Sequence, residues 1–246
     1  MDITPQPYTF TTADCQRIEA WGYSFDNNED LITFMQTGYP NFNLAALLSV
    51  VEELFPPTTA LTIRRLIRFN NSTMELLIHM QNTFTDAADA LVFKRVFDHT
   101  QEGISVKHEY CVVPTAHQQQ GLIKRVFQES LQQYINMGLK TIMVHAGLTA
   151  GGYAWARHGF VAIDPQEVDI ILEGARKRLI SSDFEFVEEI YNSYYNRNPS
   201  GTEFPMILWA RLPFMKEVLA GSDWHGVVNL QNPEQFRNFK DYVFRT

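Results

Sequence analysis

The sequence predicts an α/β protein of the mixed α+β kind, with a mostly antiparallel sheet flanked by helices and helical additions at the N-terminus and in the last third. Three observations predict it. Apolar residues recur at helical spacing before residue 60, the period shortens to that of strands from Leu61 to Pro114, and strand and helix patterns then alternate as far as Ile163. The chain has 246 residues, 45% of them hydrophobic and 13% aromatic, which is enough to bury a large core. With no low-complexity linker and no internal repeat, one domain is expected: a helical part over 1–60, the core sheet over 61–163, and a helical addition over 164–246 with a late strand near 224–230.

Three short helices are expected first. One is led by Asp14 and one by Asp30, and the third runs from Phe42 to Phe55 with Leu44, Leu47, Leu48, Val51 and Leu54 on one stripe, ended by Pro56-Pro57. Strands follow at Glu75–Met80, Leu91–Phe97 and Ser105–Val113, separated by polar and glycine-containing stretches, so they read as an antiparallel meander. Leu122, Ile123, Val126, Phe127, Leu131, Tyr134 and Ile135 then repeat at helical spacing, and Gly138 stands where a helix cap belongs. A strand over Lys140–Ala146, a short helix around Gly152–His158 and a strand near Phe160–Ile163 complete a β-α-β-α-β unit. Further helices are expected from Pro165, over Asp183–Arg197 and over Pro205–Leu219. A strand over Trp224–Leu230 and a terminal helix from Asn232 close the chain. If the late strand joins the core sheet, the helices before it form an insertion.

Charge and composition exclude several classes. A formal charge of −8 repels phosphate backbones and anionic lipid, so nucleic acid and membrane surfaces are unfavoured partners and a cationic acceptor is favoured. Arg64-Arg65-Leu66-Ile67-Arg68 is either a local basic patch or the solvated face of a strand or helix. No segment has the form of a signal peptide, and no apolar run reaches the roughly 18–20 residues that span a bilayer, so a cytoplasmic protein is expected. Cys15 and Cys111 lie far apart, which points to neither a disulfide framework nor a zinc ribbon. His108-Glu109 continues as Tyr110-Cys111-Val112 without a second histidine, so no zinc-protease pair is formed and no metal is expected.

The informative stretch is Val106 to Phe160. A strand ending Cys111-Val112-Val113-Pro114, a turn of Gln118-Gln119-Gln120-Gly121 and a long amphipathic helix place a row of backbone N–H groups at a positive helix end, a geometry suited to a diphosphate. A glycine at position 121 would let the backbone approach the anion where a Cβ would crowd it.

At these residues the chain resembles the GNAT family, the Gcn5-related N-acetyltransferases. That family's pyrophosphate signature is Gln or Arg, two residues, Gly, one residue, then Gly or Ala. Gln118-Gln119-Gln120-Gly121-Leu122-Ile123 meets it except that Ile123 replaces the small residue. Tyr110-Cys111-Val112-Val113-Pro114 resembles the family's fourth strand, whose bulge pairs with the pantetheine arm, and Trp155-Ala156-Arg157-His158-Gly159-Phe160 resembles its aromatic-x-x-x-Gly-Phe segment. The resemblance implies acetyl-CoA as co-substrate, bound by Cys111, Val112, Val113, Gln118, Gln119, Gln120, Gly121, Leu122 and Ile123. It also implies direct transfer of the acetyl group to an amine of a small molecule, peptide or protein.

Such a transfer needs backbone donors for the oxyanion, a base for the ammonium proton and an acid for the leaving thiolate. Backbone around Cys111–Val113 would supply the first. Glu109 is the candidate base, since two-residue alternation puts it on the face of Cys111 and Val113; the other reading is an exposed or salt-bridged strand carboxylate. The family's acid is commonly a Tyr where this chain has Trp155, which leaves Tyr153 or His158 as substitutes, the other readings being packing for Tyr153 and surface exposure for His158. His145 ends a strand near the expected thioester and is either structural or functional. Cys111 could be a nucleophile or simply packed, with no His or Asp placed beside it by a motif. The competing function is a catalytically degenerate binding or scaffold module of the same fold, consistent with the departures at Ile123 and Trp155.

Overall fold

Helix and strand patterns alternate as the sequence predicts in the computed structural model, which describes residues 3–26, 28–53, 62–83, 86–118, 121–147 and 151–245. The chain divides into two compact units, Met1–Lys140 and Thr141–Arg245.

The first unit opens with α1 (Thr12–Ala20), α2 (Asn28–Gly38) and α3 (Leu44–Glu52), the three helices expected. Side chains set their starts. Thr11 N–H donates to Asp14 Oδ2 at 2.8 Å, and Asn43 Oδ1 accepts from Ala46 N–H at 2.9 Å. Four antiparallel strands follow in sequential order, β1 (Ile63–Asn70), β2 (Glu75–Asn82), β3 (Val92–Thr100) and β4 (Gly103–Val112). The meander therefore has one strand more than the three expected. β1 escapes a hydrophobic reading because Arg64, Arg65 and Arg68 interrupt it. Arg65, opposite Met80, points inward and is neutralised by Glu52 of α3 through paired contacts of 2.9 and 2.8 Å.

The buried face of this sheet carries Leu76, Ile78 and Met80 from β2 with Phe93, Arg95 and Phe97 from β3. Aromatic contacts seal it. Phe97 meets Tyr39 and Phe42 at 6.1 and 5.3 Å, and meets Tyr134 of α4 (Leu122–Asn136) at 6.0 Å. The expected ending of α3 at Pro56-Pro57 lies outside the described residues.

The second unit contains β5 (Thr141–His145), α5 (Gly151–Arg157), β6 (Val161–Ala162), α6 (Pro165–Arg178) and α7 (Ser181–Arg197), then β7 (Phe204–Pro205), α8 (Ile207–Ala210), α9 (Lys216–Ala220), β8 (His225–Asn229) and α10 (Pro233–Phe244). Its antiparallel strands are ordered β5-β8-β6-β7. The late strand thus pairs with both β5 and β6, and the segment from α6 to α9 is an insertion, as expected from the sequence. The single helix expected over Pro205–Leu219 is instead broken. Pro205 lies in β7, and Pro213 begins a separate 3-10 turn, since a proline ring cannot continue the preceding helix.

Close packing in this unit depends on small residues. A Cβ on Gly152 of α5 would collide with the Leu219 carbonyl and the Ser222 hydroxyl, so only glycine lets α5 and α9 approach this closely. Phe160, between α5 and β6, packs edge-on against Trp155 at 5.2 Å and Phe239 of α10 at 5.8 Å. Among the described residues, no helix is long and apolar enough to cross a membrane.

Candidate functional site

The ladder between β3 and β4 slips by one residue. Lys94 pairs with Tyr110 and Arg95 with His108, leaving Glu109 as the extra residue of a β-bulge. The slip reverses alternation beyond it. Cys111 lies opposite Phe93 on the buried face, whereas Glu109 lies on the other face with its Oε2 3.7 Å from Lys94 Nζ. The expectation that Glu109 shares a face with Cys111 is therefore corrected, because an inserted residue shifts the two-residue period by one. Glu109 is a partly exposed, ion-paired strand carboxylate.

Behind the bulge stands Arg95, fully buried with no carboxylate partner among the described residues. Its Nη1 donates to the carbonyls of Lys94 and Tyr110, both at 2.9 Å, and its guanidinium lies 4.4 Å from the centroid of the Phe93 ring. Cys111 and Tyr134 adjoin the guanidinium. Burial pushes the Cys111 thiol up, and Arg95 only partly counters that. His108 and Tyr134 close the cluster, with His108 Nε2 2.7 Å from the Tyr134 hydroxyl.

From the bulge the chain runs through half-buried Cys111 and Val112 and buried Val113 into a single turn at Thr115–His117. Gln118 uses its side chain within the protein, donating from Nε2 to the Val113 carbonyl at 3.0 Å, which ties the end of β4 to the turn before α4. Gln119 and Gln120 lie outside the described residues. Gly121 is the N-cap of α4 at φ +75, a left-handed conformation that costs other residues about 1 kcal/mol or more. Nothing lies within 4 Å of the position its Cβ would take, so the glycine is required by the backbone and not by crowding within the chain. Leu122 and Ile123 form the half-buried first turn, and no side chain among the described residues caps the helix.

Tyr153 and His158 belong to the second unit. Tyr153 is half-buried on α5. His158 is buried, with Nδ1 2.6 Å from the Ala154 carbonyl and its ring 4.0 Å from Tyr242, and burial depresses its pKa to about 4. It is neutral at neutral pH and enclosed by aromatic rings. The surface position weighed for His158 is not what is found: the ring is buried.

A second constellation escapes motif reading. His145 at the end of β5 and His225 at the start of β8 are cross-strand partners, with rings stacked at 4.3 Å and 5°. Nε2–H of His145 donates to Asp223 Oδ1 at 2.6 Å, and Nδ1–H of His225 donates to Glu167 Oε1 of α6 at 2.7 Å. Glu167 Oε2 also accepts from His225 N–H at 2.6 Å. The available signal was positional: a strand ending in His and a late strand beginning with His become neighbours once they pair antiparallel. Among the described residues, no group of three or more His, Cys, Asp or Glu is arranged to hold a metal.

No protein-family model, no curated protein and no solved structure matches the chain.

Proposed function

We propose that the protein is an acetyl-CoA-dependent N-acetyltransferase of GNAT type. The observation that carries this reading is the bulge at Glu109 in the fourth strand, followed by the left-handed Gly121 and an uncapped helix. A bulge frees main-chain groups from the ladder, so an extended thioester arm could pair with the strand there. The first turn of α4 offers N–H groups that lack intrahelical partners and the positive end of a 15-residue helix to a diphosphate. Backbone near Cys111–Val113 would receive the oxyanion as the amine nitrogen attacks the carbonyl carbon and the C–S bond breaks. With His158 enclosed, the thiolate takes its proton from solvent.

The catalytically silent binding module is the second reading, and the enclosure of His158 together with the packing of Trp155 against Phe160 favours it. Thermal unfolding with acetyl-CoA and with CoA tests the cofactor site. Ligand at about 100 times its Kd adds roughly 2.7 kcal/mol, a shift of several degrees. Gly121→Asn, which tolerates a left-handed backbone, should keep the shift, while Gly121→Glu should abolish it by placing a carboxylate at the helix end. No shift in the folded parent protein overturns both readings of the site. A shift without turnover of any amine selects the binding module.

A further inference from the structure

We propose that the stacked His145–His225 pair, backed by Asp223 and Glu167, binds a primary ammonium group and removes its proton. The inference goes beyond the acetyltransferase reading and rests on residues of the second unit alone.

The proposal begins with hydrogen-bond direction. A carboxylate can only accept, so Asp223 fixes His145 with its proton on Nε2, and Glu167 fixes His225 with its proton on Nδ1. In the neutral rings the lone pairs therefore lie on His145 Nδ1 and His225 Nε2. Both side chains remain open to solvent, at 55% and 54% exposure. Gly147 keeps the turn clear, since a Cβ there would lie 3.1 Å from Asp223 Oδ1 and 3.2 Å from His145 Nε2.

Stacking limits the chemistry. Imidazole lone pairs lie in the ring plane, and two rings with centroids 4.3 Å apart and planes 5° from parallel do not converge on one ion at the roughly 2.0–2.1 Å of a metal–nitrogen bond. Proton transfer has no such requirement. An N–H bond of R–NH3+ breaks and an N–H bond forms on His145 Nδ1, leaving R–NH2 with its lone pair and an imidazolium. That cation faces the Asp223 carboxylate and the π face of the neutral His225 ring. With both rings neutral, the four side chains carry two negative charges, and a chain of formal charge −8 adds a field that draws in cations.

The test is imidazole 15N–1H correlation NMR on the full-length protein titrated with propylamine, with tetramethylammonium as a cation that has no N–H proton to give. His145→Gln and His225→Gln assign the two ring systems. Propylamine should move both ring systems, tetramethylammonium should move them several-fold less, and Asp223→Asn with Glu167→Gln should abolish the response while the rest of the spectrum stays native. Unmoved rings, or equal response to both cations, overturns the proposal. Acetyl-CoA thermal shifts on His145→Gln keep the two claims apart. Retained cofactor binding with unmoved rings sinks this inference alone, and an amine response without any cofactor shift sinks the acetyltransferase reading alone.

Discussion

Nη1 of Arg95, in the middle of β3, donates a 2.9 Å hydrogen bond to the carbonyl of Tyr110, the residue that follows the bulged Glu109. A buried guanidinium thus holds a main-chain oxygen beside the slip in the ladder. Two effects oppose each other on replacement by Met. The carbonyls of Lys94 and Tyr110 lose charged donors, about 1.5–3 kcal/mol each, while the several-kcal/mol penalty of burying a cation is relieved. Arg95→Met should therefore change global stability in urea by less than about 2 kcal/mol. Hydrogen exchange over Glu109–Cys111 should nevertheless speed up at least about tenfold, the mark of a bulge released locally.

His158 should produce a pH dependence. Its pKa is about 4 in the folded protein against 6.5 in an unfolded chain, so between these values the unfolded state binds more protons. Stability is therefore whole above about pH 6.5 and is lost as pH falls toward 4, by about 3 kcal/mol in all. His158→Phe keeps a ring against Tyr242 and should flatten this limb when unfolding of the second unit is followed by urea titration at pH 7 and pH 5.

Two helical glycines should respond oppositely to alanine. Gly174 in α6 has nothing within 4 Å of a Cβ, so Gly174→Ala should stabilise by about 0.5–1 kcal/mol. Gly152→Ala drives a methyl into the Leu219 carbonyl and should cost about 1–3 kcal/mol or more. Thermal melts of both variants in the full chain check the signs.

Neither thiol should behave as a nucleophile in the native state. Burial raises Cys15 to about 11 and also raises Cys111, so at neutral pH both are thiols. Aromatic-disulfide titration should give two slow sulfhydryls that become fast together in denaturant. A rapidly reacting Cys111 would reopen an acyl-enzyme route.

Periodicity made most of the fold legible: the three N-terminal helices, α4 with its Gly138 cap, and the late strand that pairs with β5 and β6. What it missed depends on partners distant in sequence. β1 is disguised by arginines, one of which becomes an inward residue only because Glu52 meets it. The bulge cannot be read from Lys107-His108-Glu109-Tyr110 alone, since it is a relation between β4 and β3. His145 was visible as a strand-terminal histidine, but Asp223, His225 and Glu167 reach it only through the pairing of β5 with β8 and the packing of α6.

The strand order of the second unit also bears on how the chain is made. β8 lies between β5 and β6, yet it is translated after the whole α6–α9 segment. Until Asn229 has left the ribosome, neither β5 nor β6 has its central partner, and both must wait with open edges through the synthesis of every intervening helix. A premature stop after α9 would therefore remove the keystone of the second unit and not merely its tail, releasing a nascent chain with two adhesive strands and nothing to seat between them.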